Sequence, residues 1–271
     1  MDQDQTAAIA VYPEEFLIAC GIHQLRPEDV LQQFVNRFFY SVFLCGAEDD
    51  TEHAVNEVIY DYLCKIGKGR SIAATDSWLH NDCKMSLTEI SDMYWMLPDA
   101  QLKKIMCDTM IECCAELREH IKPVTSIAVV GGYTINLPND FIMMCFLYEV
   151  CPVSILQHLT EHISLAYQAA TAHYGLVGVN PFMVFFHSLV KQAYSYNPDW
   201  CTADFYHYEE EMLTLHESLQ EERDFKKRLF ALSKHFKTWY EATRKVPVKK
   251  VSKGYTKSRS GTVKAMIYRS L

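Results

Sequence analysis

Residues 13–39 read PEEFLIACGIHQLRPEDVLQQFVNRFF, and residues 138–164 read PNDFIMMCFLYEVCPVSILQHLTEHIS. The two stretches align without a gap. Six positions are identical: Pro13/Pro138, Phe16/Phe141, Cys20/Cys145, Pro27/Pro152, Leu31/Leu156 and Gln32/Gln157. Conservative pairs lie between them, among them Ile22/Leu147, Leu25/Val150, Val30/Ile155 and Phe34/Leu159. Chance supplies roughly one or two identities over such a window, and self-similarity of this kind marks a repeated structural unit.

Each copy spells a short helix, a turn and a longer helix. Pro13 opens the first helix, with Glu14 and Glu15 in its first turn, where carboxylates suit the helix dipole. Residues 23–26 turn the chain. Pro27 opens the second helix, and Val30, Leu31, Phe34, Phe38 and Val42 recur at helical spacing. In the second copy the spacing predicts a short helix to about Tyr148 and a long one from about Val153 to His173. Phe16, Ile22, Leu25, Leu31 and Phe34 and their counterparts are the expected core. Gln32 and Gln157 are polar in both copies, as turn caps or as buried hydrogen-bonding groups.

A helix-turn-helix outline raises DNA readout. The residues oppose it. The first copy offers only Asn36 and Arg37 as contacts, and the second has no Lys or Arg before His173. A recognition helix needs cations for phosphates and polar reach for bases. The duplicated unit therefore reads as a packing unit.

The rest of the chain is also mainly helical. Ten glycines and nine prolines are few for an all-β fold. A helix is expected at about 51–65, a loop at 66–84, and another helix behind the capping box Ser86–Glu89. Pro98 interrupts it, and the next helix runs to about Ile121. Residues 125–137 read as a β-hairpin, with Gly131-Gly132 as a two-residue turn between β-branched runs. Helix, helix, hairpin is the order of a winged helix, but the acids Asp108, Glu112 and Glu116 weaken that reading. Asn180-Pro181 opens a helix to about Tyr196, and residues 203–243 read as helix throughout. Within that segment Phe225, Leu229, Leu232, Phe236 and Trp239 form a seam for intramolecular packing or self-association through 212–240. The expected fold is mainly α, a multi-helix domain with an internally duplicated helix-turn-helix and one hairpin. Its parts are 1–121, 122–243 and a basic tail, 244–271.

No stretch has the length and apolarity of a membrane span; the run Phe141–Val150 is half what is needed. The acidic start is unlike a signal peptide. Ten cysteines, most of them on apolar helical faces, suggest free thiols in a reducing cytoplasm.

One short motif resembles a metal site. His158-Leu-Thr-Glu161-His162 has the H-x-x-E-H form of the inverzincin peptidases. Two imidazoles at i and i+4 share a helix face, so His158 and His162 are metal candidates, with Glu161 to polarise water. A third ligand would come from Glu209, Glu210, Glu211 or Glu217. The first copy has Gln33 and Arg37 at the matched positions. Cys107, Cys113, Cys114 and His120 lie along one helix and cannot wrap one ion. Cys64 with His80 and Cys83, and the turn Gly67–Ser71, are weaker candidates. No cofactor is implied.

Charge is unevenly distributed. From Arg244 onward there are nine cations and no acid; subtracting these from the totals leaves 17 basic and 34 acidic residues in 1–243. Lys245, Lys249, Lys250, Lys253, Lys257, Arg259 and Lys264 alternate with small polar residues, a composition that tracks a polyanion. The expected function is a non-enzymatic binding protein whose acidic body makes protein contacts and whose tail takes nucleic acid or an acidic partner. A zinc-dependent hydrolase and a homo-oligomeric scaffold are the alternatives.

Overall fold

The computed structural model describes residues 8–9, 11–45, 49–66, 125–172, 180–196 and 203–244, with isolated positions between 85 and 112. In chain order the elements are β1 (Ala8–Ile9), α1 (Glu14–Ile22), α2 (Pro27–Asn36), α3 (Tyr40–Cys45), α4 (Asp50–Ile66), β2 (Ser126–Val129), β3 (Thr134–Asn136), α5 (Asn139–Leu147), α6 (Pro152–His162), α7 (Leu165–Ala172), α8 (Pro181–Tyr196), α9 (Ala203–Ser218) and α10 (Phe225–Thr243). Among the described residues the molecule is mainly helical, with one antiparallel hairpin.

The two matched segments take the same backbone path. Proline stands at the N-cap of α1 and α5 and at the first position of α2 and α6, where a missing N–H is tolerated. The turn between helices is also the same. Leu25 N–H bonds to Cys20 C=O at 2.8 Å and Gln24 N–H to Gly21 C=O at 3.2 Å. At the matched positions Val150 bonds to Cys145 at 2.9 Å and Glu149 to Phe146 at 3.2 Å. Both sets are the 6→1 and 5→2 bonds of a Schellman turn, which needs a left-handed residue past the helix. Gln24 (φ 51°) and Glu149 (φ 53°) supply it, although neither is glycine. The bend between α5 and α6 is 100°.

β2 pairs in parallel with β1 (Ala8 with Ala128, Ile9 with Val129) and antiparallel with β3 (Ser126 with Asn136, Ala128 with Thr134). The hairpin loop holds three residues rather than the expected two. Val129 N–H closes on Tyr133 C=O at 2.9 Å around Val130–Gly132. Gly131 and Gly132 both have φ near +80°, a conformation that a side chain would strain. β1 went unforeseen in the sequence: two residues carry no periodicity.

Packing in this part is reciprocal. α2 lies against β3, and α6 lies against β1. Glu15 Oε2 accepts from Ser164 Oγ at 3.0 Å, while Asp140 Oδ2, at the matched position, accepts from the Tyr40 N–H at 3.2 Å. Glu15 thus reaches the last residue of the second segment, and Asp140 the residue just past the first. Leu31, Leu156, Phe34, Leu159, Phe16 and Phe141 are fully buried, each contributing about 1.5–3 kcal/mol. Phe34 meets Phe141 and Phe185 edge-on at 6.4 and 5.3 Å. α4 and α8, which follow the two segments, pack against one another.

The described residues fall into two compact units. One holds the chain up to Ser164 together with α8; the other holds α7, α9 and α10. Both matched segments lie in the first, so the division at 121 and 243 does not follow these units. In the second unit α10 packs against α7 and α9. Leu232, Phe236 and Trp239 are buried there, and Trp239 stacks on Tyr208 with ring centroids 5.9 Å apart. The seam packs within the chain.

Three helices end earlier than their apolar spacing predicts. α2 stops at Asn36 and α3 begins at Tyr40; α6 stops at His162 and α7 begins at Leu165. These breaks also occupy matched positions. Ile163 turns to extended backbone (ψ 104°), and its buried side chain keeps the apolar rhythm going through the break. Residues 203–243 form two helices. Asp224 caps α10 by accepting from the N–H groups of Lys226 and Lys227 at 2.9 and 3.3 Å. The buried Arg228 donates to Leu219 C=O and Glu222 C=O, at 2.5 and 2.8 Å, and so satisfies carbonyls past the end of α9.

Candidate functional site

The H-x-x-E-H motif lies on α6, with its two histidine rings adjacent and Glu161 turned away from them. His158 points inward and is 4% exposed. Its Nε2 lies 2.9 Å from Asp61 Oδ2 on α4, and Asp61 also holds Lys65 Nζ at 2.7 Å, one turn on. His162 Nδ1 lies 2.9 Å from the His158 carbonyl, so it must carry a proton and donate. Phe182 stacks on the His162 ring at 4.7 Å, and Tyr62 meets His158 edge-on at 5.4 Å. Glu161 faces outward and accepts from Gln157 Nε2 at 3.1 Å.

Electrostatics follow from this geometry. Burial lowers the His158 pKa, and the hydrogen bond to Asp61 offsets only part of that. Burial raises the Asp61 carboxyl, but Lys65 and His158 more than reverse it, leaving it below its ordinary value. A neutral His158 therefore donates to an ionised Asp61. The two imidazoles are close, with centroids 4.2 Å apart, yet one nitrogen of each is engaged inside the protein. Among the described residues no group of three or more His, Cys, Asp and Glu is placed to hold a metal ion. What His158, Asp61 and Lys65 form is a polar tie between α6 and α4. The first copy has a counterpart, since Arg37, at the position matching His162, donates to Gln192 Oε1 on α8 at 2.6 Å.

Gln32 has a definite role. Its side-chain amide donates to Asn136 C=O at 2.8 Å and accepts from Asn136 N–H at 2.9 Å, so it caps the outer edge of β3. It also donates to Asn36 Oδ1 at 2.9 Å. The bond from Gln157 to Glu161 repeats that i,i+4 contact at matched positions.

Other titratable groups are buried for packing. Burial, with the nearby His187 second, pushes the His23 pKa down to about 3, and burial pushes His187 down to about 4. The thiols of Cys20 and Cys145, again matched, are raised chiefly by burial. Such thiols are poor nucleophiles and poor ligands. Cys20, Cys64, Cys145 and Cys151 are free. Cys83, Cys107, Cys113, Cys114, His80, His120 and the turn Gly67–Ser71 lie outside the described residues, as do most residues of the two helices that precede the hairpin in the segment considered as a winged helix.

The tail candidates Lys245, Lys249, Lys250, Lys253, Lys257, Arg259 and Lys264 also lie outside the described residues, which end at Arg244. The structure does bring forward a surface that charge counting over 1–243 conceals. On α10, Lys226, Lys227, Phe230, Lys234, Lys237, Glu241 and Arg244 are exposed. At 100° per residue they fall within about 60° of the direction of Phe230, on one helix face. The i, i+4, i+7 spacing of these residues was the available signal. It was obscured because the acidic helix α9 was counted with α10.

Comparison with family models, with curated proteins and with solved structures finds no match for this chain. Among the described residues no single helix is long and apolar enough to cross a membrane.

Proposed function

We propose that this chain is a non-enzymatic binding protein whose basic C-terminal segment engages nucleic acid. One observation carries the reading: nine cations and no acid from Arg244 to Leu271, joined to a body of 17 basic and 34 acidic residues. A short cationic run rich in Ser, Gly and Thr binds phosphates by releasing their counterions, and it needs no preformed pocket. The acidic body repels nucleic acid over much of its surface and so favours binding toward the basic C-terminal side. The engagement of His158 by Asp61 and of His162 by the His158 carbonyl weighs against the zinc-hydrolase alternative, and the buried seam of α10 weighs against self-association through 212–240. The free thiols fit a reducing cytoplasm.

The test is titration of the full chain, and of a version ending at Thr243, into a fluorescent oligonucleotide at several salt concentrations. Binding that weakens steeply with salt and is largely lost on truncation supports the reading. Equal binding by the truncated chain, or no binding by the full chain, defeats it. In the latter case capture of an acidic protein becomes the role to examine.

A further inference from the structure

The outward face of α10 is a built cationic surface with an aromatic at its centre. Lys226, Lys227 and Lys234 lie within one turn of Phe230, which is 72% exposed, and Lys237 and Arg244 continue the same face toward the C-terminus. The acids nearby are Glu241 on the same face and Glu221, Glu222 and Asp224 before the first turn; Asp224 is occupied in capping, and Glu222 accepts from the Asp224 N–H. The opposite face carries Leu232, Phe236 and Trp239 and is buried. The helix is thus anchored on one side and presents cations on the other over about 27 Å, from Lys226 to Arg244. A phenyl ring standing in water among ammonium groups gains nothing from packing within the chain. It suits a flat, apolar partner surrounded by negative charge, as an unpaired base between phosphates is.

We infer that this face of α10 binds single-stranded nucleic acid, with Phe230 stacking on a base and Lys226, Lys227 and Lys234 contacting phosphates. Duplex DNA offers no exposed base face to Phe230, whereas a single strand does. Continuity adds to the argument: Arg244 ends the face and the tail cations follow it in sequence, so helix and tail form one basic run. The inference rests on the proposed nucleic-acid function and localises it to a folded element.

The experiment uses full-length protein and a labelled 20-nucleotide poly-dT or poly-U strand. Phe230→Ala should weaken binding about tenfold while leaving the salt dependence intact, because stacking carries no counterion release. The combined change Lys226→Gln, Lys227→Gln, Lys234→Gln should flatten the slope of log K against log salt by about 2. Thermal unfolding should be unaltered in both, since all four side chains are exposed. A third variant, Lys249→Gln, Lys250→Gln, Lys253→Gln, Lys257→Gln, separates the tail. Loss of binding only in the tail variant overturns the inference and leaves the proposed function standing. No binding by the unaltered protein overturns both. Tighter binding to phosphatidylserine vesicles than to the strand, lost in Phe230→Ala, overturns the inference in favour of a membrane surface.

Discussion

Gln24 and Glu149 occupy matched places in the two segments and share one backbone state, with φ of 51° and 53°. They are the only non-glycine residues with positive φ among the described residues. Each closes a Schellman turn that glycine usually closes, because glycine has no Cβ to strain there. The same departure from the rule occurs in both turns.

The strain is measurable. Gln24→Gly and Glu149→Gly should each raise stability by about 0.5–1 kcal/mol, and Gln24→Val should lower it by about 1–2 kcal/mol. Urea unfolding midpoints at constant m-value report both. Stability lowered by glycine as much as by valine would show that these turns are not strained.

Gln32 and Gln157 should separate despite their identity. Gln32→Ala removes two bonds to the Asn136 backbone and should cost about 1–2 kcal/mol. Gln157→Ala removes an exposed i,i+4 contact and should cost no more than about 0.5 kcal/mol. Gln32→Glu should be worse than alanine at pH 7, because a carboxylate cannot donate to the Asn136 carbonyl, and should recover partly at pH 4 once protonated. Denaturant titration at the two pH values checks the set.

Acidification should destabilise the fold from about pH 6.5 downward. His23, His187 and His158 are all lowered in the folded state, chiefly by burial. The unfolded chain takes up their protons as pH falls through about 6.5, the ordinary histidine value. The folded chain resists, to about pH 4 for His187 and about pH 3 for His23. The stability these groups contribute is therefore complete above pH 7 and is lost as pH falls toward 4. His187→Phe should flatten the slope of stability against pH by up to about 1.4 kcal/mol per unit between pH 6 and 5. An unchanged slope would mean that His187 titrates alike in both states.

Much of the fold was legible because its boundaries are written in single residues. Pro27, Pro152 and Pro181 each begin a helix, and two adjacent glycines turn the hairpin. Other boundaries are written in three dimensions. The breaks after Asn36 and His162 fall where apolar spacing runs on without pause, so periodicity passes over them. The turn before α10 depends on Arg228 reaching back to Leu219 and Glu222, and no dipeptide marks it. β1 is two residues long and finds its partner far along the chain. For the candidate site, His158 could be seen as a histidine on a helix, but its partner Asp61 is 97 residues away in sequence. The cations of α10 were visible one by one; a bulk sum over acidic and basic helices cancelled them.

The pairing of Ala8 with Ala128 bears on how the molecule is made. On the ribosome, β1 emerges about 120 residues before the strand it joins, a wait of roughly 6–24 s at ordinary elongation rates. During that interval α1 and α2 lack both the sheet and α6, the helix against which α1 packs. Synthesis of the hairpin and of α6 is thus the step that releases the early part of the chain from exposure, and the nascent protein is most open to chaperones before it.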